Sequence, residues 1–293
     1  MFGTNEIVGQ KWFDEKDTDG KLFVTSVFIT LQGEGPFRGM PAVFVRLAKC
    51  NLACGFCDTF FDDGDWFTYQ ELADKIEDTI NQYFADRNIE RPAYTKSDIF
   101  PKQMVLVMTG GEPTLQKNVA DWLLYTYEEY PFEQTQIESN GILAPKDYPV
   151  NTTVVISPKC LEKKGLPIKY LKPNPETLDK ADCLKFVMEA GPDSPYSEIP
   201  DWAHEWHKET GRDIFVSPMN IYNDVPKESK KLRLTQNYTT IDQRSSVDEV
   251  VSFWEDGLLD MKANQINHEY TAKYCMDYGY ILNIQIHLLA SLA

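Results

Sequence analysis

The chain has 293 residues, 42% of them apolar and 13% aromatic, enough to bury the core of one large α/β domain or two small ones. Its 45 acidic against 29 basic residues give a net charge of −16, with no lysine or arginine block beyond pairs such as Lys163-Lys164 and Lys230-Lys231, which argues against a nucleic-acid partner. No apolar run reaches the roughly 20 residues that span a bilayer and the first residues lack a signal-peptide core, so the expectation is a cytoplasmic protein with no membrane attachment.

In chain order, 21–30 (KLFVTSVFIT) and 41–48 (PAVFVRLA) carry the β-branched and aromatic residues of strands. The second is almost continuously apolar, as in a parallel-sheet strand covered on both faces. Arg46 is conspicuous there, because an inward arginine is either paired in a salt bridge or holds an anionic ligand. A glycine-rich loop, Leu31-Gln32-Gly33-Glu34-Gly35, lies between the two strands, and Cys50, Cys54 and Cys57 follow them.

Thr68 and Glu71 have capping-box spacing, and Leu72, Ile76, Ile80 and Tyr83 recur at helical spacing, which predicts a helix over 69–85. The polar, proline-bounded stretch 87–101 reads as a surface insertion. A short buried strand at 104–108 (MVLVM) then ends at Thr109-Gly110-Gly111-Glu112-Pro113, before a helix over 116–129.

The pattern repeats. A strand at 134–138 leads into Ser139-Asn140-Gly141, and one at 152–156 into Ser157-Pro158-Lys159. A strand at 184–188 precedes a helix containing Trp202 and Trp206, and one at 213–216 leads into Ser217-Pro218-Met219-Asn220. Strands alternating with helices imply right-handed βαβ units and a parallel sheet, open or closed into a barrel, with the site at the C-terminal strand ends. The polar stretch 221–244 is expected to be a long surface loop, 247–254 and 264–278 to be helices, and 281–289 (ILNIQIHLL) to be a final strand.

Three cysteines at C-x₃-C-x₂-C spacing suit a metal site in a reducing compartment, and the thiolates are compatible with an iron–sulfur cluster or with zinc. Zinc usually takes a second cysteine pair, which is missing nearby; three ligands on a four-iron cluster leave one iron open for chemistry. A grouping of structural cysteines is the third reading. Cys160, Cys183 and Cys275 are scattered and read as packed thiols, Cys160 standing next to the SPK loop.

The CNLACGFC triplet resembles the signature of the radical S-adenosylmethionine (SAM) superfamily, and the TGGEP loop after the next buried strand resembles its SAM-binding motif. More narrowly, LQGEG, the strand arginine, Cys57-Asp58-Thr59, TGGEP, ESNG, SPK and a final alternating strand with His287 resemble the 7-carboxy-7-deazaguanine synthase family. The resemblance implies an incomplete TIM-like (β/α)6-type barrel, one domain over 1–293 with insertions near 87–101 and 221–244.

It also implies a reaction. Cys50, Cys54 and Cys57 would hold a [4Fe-4S] cluster whose open iron binds SAM. Reductive cleavage of SAM would start the conversion of 6-carboxy-5,6,7,8-tetrahydropterin to 7-carboxy-7-deazaguanine, by ring contraction with loss of ammonia and with SAM re-formed. Phe56, Cys57, Asp58, Gly111, Ser157, Pro158, Lys159, Ser217, Pro218, Met219 and Asn220 are the implied SAM contacts. Leu31, Gln32, Gly33, Arg46 and Thr109 would meet the pterin, with Arg46 on its carboxylate, and Thr59 would help hold Mg²⁺. By family analogy the enzyme is a homodimer served by an electron donor such as flavodoxin.

SPMN stands where family members often carry QPM followed by an acidic residue. His204 and His207 share a helix with two tryptophans and read as surface or packing residues, whereas His287 is a candidate to face the pterin. Two other readings remain: a radical SAM activase acting on a partner protein, which would share the triplet without needing LQGEG or Arg46, and a non-catalytic metal-stabilised binding protein.

Overall fold

The computed structural model describes residues 6–16, 18–57, 59–90, 104–130, 132–163, 166–223 and 259–290. Helix α1 (Gln10–Asp14) precedes strands β1 (Lys21–Leu31), β2 (Pro41–Leu47) and β3 (Asp65–Thr68). Helix α2 (Tyr69–Ala85) leads to β4 (Val105–Gly110), α3 (Val119–Glu129), β5 (Gln134–Ser139) and β6 (Thr152–Ile156). A hairpin of β7 (Cys160–Lys163) and β8 (Leu166–Tyr170) is followed by α4 (Pro175–Lys180), β9 (Cys183–Met188), α5 (Asp201–Thr210) and β10 (Ile214–Pro218). The described chain ends with α6 (Met261–Tyr278), β11 (Ile281–Leu282) and α7 (Ile286–Leu289).

Nine strands form one sheet in the order β11-β10-β9-β6-β5-β4-β2-β1-β3. Six of them, β2, β4, β5, β6, β9 and β10, run parallel to their neighbours within that group, as crossover helices require. The sheet curls. In the loop after β1, near one edge, the Glu34 side chain meets Lys185 of β9 and Ser217 of β10, and the Gly35 N–H meets Asn283 beyond β11, at the other edge. An open, barrel-like α/β sheet of the expected class results.

Helix α2 begins as its sequence dictates: the Thr68 hydroxyl accepts from the Glu71 backbone N–H, and the Glu71 carboxylate accepts from the Thr68 N–H at 2.8 Å. Its apolar stripe, Leu72, Ile76 and Ile80, is fully buried against the sheet face that carries Val43, Val45, Leu106 and Met108. Each such aliphatic side chain contributes about 1.5–3 kcal/mol of transfer free energy.

Several expectations change. β1 and β2 pair antiparallel, so only one side of β2 is parallel, through β4. The segment 281–289 is not one strand: β11 covers two residues, and His287 lies in the short helix α7. The predicted helix at 116–129 starts at Val119, after a 3₁₀ turn at Pro113–Leu115. Both proposed insertions fall largely outside the described residues, and the helix at 247–254 falls wholly outside them. Among the described residues, no helix is long and apolar enough to cross a membrane.

Candidate active site

A cavity of about 260 Å³ opens at the C-terminal ends of the parallel strands. Five loops line it. They contribute Cys50, Cys54, Phe56 and Cys57; Thr109, Gly110 and Gly111; Glu138, Ser139 and Asn140; Ser157 and Lys159; and Ser217, Pro218, Met219 and Asn220. Gln32, Arg46 and Thr59 line it as well. Leu31 does not: Thr30 and Gln32 face the cavity, and strand alternation aims Leu31 away. Pro158 is not on the wall, and Asp58 lies outside the described residues. Gly33 is not on the wall either; a Cβ there would stand 2.3 Å from His287 Nδ1, so the glycine seats the LQGEG loop against that ring.

The cysteine loop leaves β2 through Lys49, whose φ of +72° turns the chain sharply. The glycines of TGGEP make room for that turn. A Cβ on Gly111 would lie 1.9 Å from the Lys49 carbonyl oxygen, and one on Gly110 2.1 Å from that of Leu47. Gly111, one of the implied SAM contacts, is therefore required by the fold itself, for close approach of the cysteine loop's backbone. Two backbone bonds fix the contact: Gly111 N–H to Leu47 O and Glu112 N–H to Lys49 O, each 2.9 Å.

Among the described residues none of the three cysteines forms a disulfide; Cys50 is buried and its two partners are half-buried. Burial pushes the Cys54 thiol up to about 11 against the opposing pull of Lys159, and pushes Cys50 well above the usual thiol range, with Glu112 adding to the effect. Burial thus favours the neutral thiol at Cys50 and Cys54 until a cation takes them. On the hairpin side, Phe56 meets Tyr196 edge-on at 5.3 Å, and the Gly55 N–H lies 2.8 Å from each carboxylate oxygen of Glu162. Among the described residues, no trio of histidine, cysteine, aspartate or glutamate surrounds a single ion. A four-iron cluster asks for something else, one thiolate on each of three irons, and an all-sulfur donor set on one short loop fits it.

Arg46 and Thr59 meet: the guanidinium Nη1 donates to the Thr59 hydroxyl at 3.2 Å and lies over the Phe28 ring at 5.2 Å. A Mg²⁺ ion beside Thr59 would find one hydroxyl already inside a hydrogen bond, a sparse donor set that would fit if water and substrate supplied the rest.

Sequence reasoning missed the most heavily charged wall. Lys185 Nζ lies 2.6 Å from Glu34 Oε2 and 2.7 Å from Glu138 Oε2, all three side chains largely buried. The network spreads from Glu138 to Gln32 and Gln136, and from Glu34 to Ser217, whose hydroxyl donates at 3.0 Å. Burial alone would raise the Glu34 carboxyl, but the Lys185 ammonium and its hydrogen bond hold it below the usual range. Lys185 itself is raised: the charges of Glu138 and Glu34 outweigh the burial that would lower it. Its signal was present in LKFVM, a lysine inside a buried strand, the same signal that marked Arg46.

His287 lines the cavity. His204 and His207 are packing residues, as expected: His204 Nε2 meets the Ile199 carbonyl at 3.0 Å, and His207 donates to that of Arg212 at 2.7 Å. Cys160 is buried beside Tyr196 and Met219, away from the cavity wall.

A parallel β/α half-barrel with a three-cysteine loop at its mouth defines a protein of the radical SAM type. No family model matches the chain. It is 32% identical to the 7-carboxy-7-deazaguanine synthase of Rhodospirillum rubrum over 202 residues, 68% of this chain and 71% of the relative. It is 34% identical to that of Rickettsia prowazekii over 181 residues, 62% of this chain and 67% of the relative. The crystal structure of QueE from Escherichia coli shares the fold, with a TM-score of 0.50 and 18% identity over 96% of this chain and 99% of that one. The chain belongs to the 7-carboxy-7-deazaguanine synthase family.

Proposed function

We propose that this chain catalyses ring contraction of 6-carboxy-5,6,7,8-tetrahydropterin to 7-carboxy-7-deazaguanine, with loss of ammonia, as a carbon–nitrogen lyase dependent on a [4Fe-4S] cluster, SAM and Mg²⁺. The observation that carries the reading is the convergence of the five strand-end loops with Arg46 on one cavity. Cys50, Cys54 and Cys57 would hold the cluster. Together with SAM, the cluster supplies one-electron reductive chemistry that starts the reaction by hydrogen abstraction.

The chain's own residues bind and orient. Arg46 offers the planar fork that matches a carboxylate, and Phe28 beneath it restricts its swing. Glu34 and Glu138, fixed by Lys185, present acceptors to the N–H donors of an aminopyrimidinone ring. Gln32 joins them through its bond to Glu138 at 3.1 Å. Gly111, Ser157, Lys159, Ser217, Met219 and Asn220 form the wall assigned to SAM, with Lys159 Nζ steadied by the Ser157 carbonyl at 2.7 Å. Thr59 would give Mg²⁺ its protein oxygen. The same reading makes the protein a single-domain cytoplasmic homodimer that draws electrons from a flavodoxin-type donor.

Anaerobic reconstitution with iron and sulfide, followed by SAM, reductant, Mg²⁺ and the carboxylated tetrahydropterin, tests it. Mass spectrometry should find the deazaguanine acid and ammonia. A cluster-loaded sample that cleaves SAM but makes no such product sinks the specific reaction. Stoichiometric zinc with no iron uptake sinks the cofactor assignment too.

A further inference from the structure

The segment between Cys54 and Cys57 is held from outside the cysteine loop. Its Gly55 N–H points at the carboxylate of Glu162 and lies 2.8 Å from both oxygens, a contact across 107 residues of sequence. Glu162 sits in β7 at the irregularity between Leu161 and Glu162, where the β7–β8 register shifts. The extra residue is Ile168 of β8, and β7 keeps its alternation, Cys160 buried, Leu161 exposed and Glu162 half-buried, so Glu162 faces the same side as Cys160. The neighbouring Phe56 packs edge-on to Tyr196 at 5.3 Å, and the Tyr196 hydroxyl accepts from the Cys160 N–H at 3.0 Å. Both anchors of the loop therefore run to the hairpin that follows the SPK loop, and one of them is charged.

We propose that Glu162 is a positioning residue for the iron–sulfur cluster: it latches Gly55 so that Cys54 and Cys57 are presented together, and its negative charge beside Cys54 makes the cluster harder to reduce. The inference rests on the cluster assignment above. Outer partners of metal ligands set both retention and potential, and net charge and hydrogen bonding close to the sulfurs are the terms through which they act. A carboxylate accepting a backbone N–H is also the stronger, charge-assisted form of that bond.

Two variants separate the parts. Glu162→Gln keeps an acceptor for Gly55 and removes the charge, whereas Glu162→Ala removes both. In the iron-free chain, hydrogen exchange at the Gly55 amide should be slow in the wild type and in Glu162→Gln and fast in Glu162→Ala, while thermal unfolding confirms that all three are folded. In the reconstituted protein, Glu162→Ala should lose iron to a chelator roughly 10-fold faster than wild type. An EPR-monitored redox titration should give a less negative midpoint potential in both variants. Equal Gly55 exchange in wild type and Glu162→Ala overturns the latch, and an unshifted potential in Glu162→Gln overturns the electrostatic part. A wild-type chain that takes up no iron overturns the inference together with the reading beneath it.

Discussion

Arg46 and Thr59, 13 positions apart, are joined by a hydrogen bond of 3.2 Å from guanidinium to hydroxyl. The strand that carries the proposed substrate clamp and the loop that carries the proposed magnesium ligand therefore act on one spot. Arg46→Lys keeps the charge and loses the fork. Catalytic efficiency toward the pterin should fall roughly 10- to 100-fold, the worth of one charge-assisted bond, with SAM binding unchanged. Equal losses in both would make Arg46 a structural residue.

Thr59→Val keeps the β-branched shape and removes the oxygen. The part of turnover that responds to added Mg²⁺ should disappear, while iron content and SAM cleavage without substrate stay at wild-type levels. A Mg²⁺ titration of the variant that superimposes on that of the wild type would exclude Thr59 as the ligand.

Lys185→Met removes the counter-charge from two buried carboxylates. Breaking such a group by deleting one partner costs about 3–5 kcal/mol. The pH dependence changes sign as well. In the wild type the folded-state Glu34 carboxyl is held low, so its stabilisation is present above the unfolded value of about 4.3 and is lost as pH falls through the lower folded value. Without Lys185, burial, the largest single effect, is opposed only by His287 and the Ser217 hydroxyl and raises that carboxyl. Stability of the variant should then decline as pH rises above about 4.3 toward neutrality. Urea-unfolding midpoints measured across that window should fall for the variant only.

Two glycines give opposite outcomes for one substitution. At Gly111 an added Cβ meets backbone, the Lys49 carbonyl at 1.9 Å, and the cysteine loop must move. Gly111→Ala should cost at least about 2 kcal/mol and impair iron uptake. At Gly33 the same atom meets the His287 ring, a side chain that can rotate away. Gly33→Ala should leave the thermal midpoint nearly unchanged and raise KM for the pterin.

The elements were legible where one local rule decided them. The capping box at Thr68 and Glu71 started α2, and short apolar runs ended at each strand-end loop. Pairings across the fold were not. Glu34 and Glu138 stand inside quoted motifs, yet nothing local says that Lys185 joins them, because that depends on how far the sheet curls. The antiparallel β1–β2 pair could have been found: the connection from Leu31 to Pro41 is shorter than the dozen or so residues that a parallel crossover needs. The terminal segment misled because ILNIQIHLL alternates by type, while its chain leaves the sheet after Leu282.

The described strands of the half-barrel do not close on one another, and the LQGEG loop spans the gap between them. Its Glu34 reaches Lys185 and Ser217, and its Gly35 N–H reaches Asn283 Oδ1 at 3.1 Å. The circumference is thus part hydrogen-bonded ladder and part side-chain seam. A ladder parts only when a strand unpairs, but a seam of carboxylates, amides and one ammonium can trade its partners one at a time for those of an incoming polar molecule. The enclosure is most exchangeable on the wall assigned to the pterin and most rigid under the cysteines.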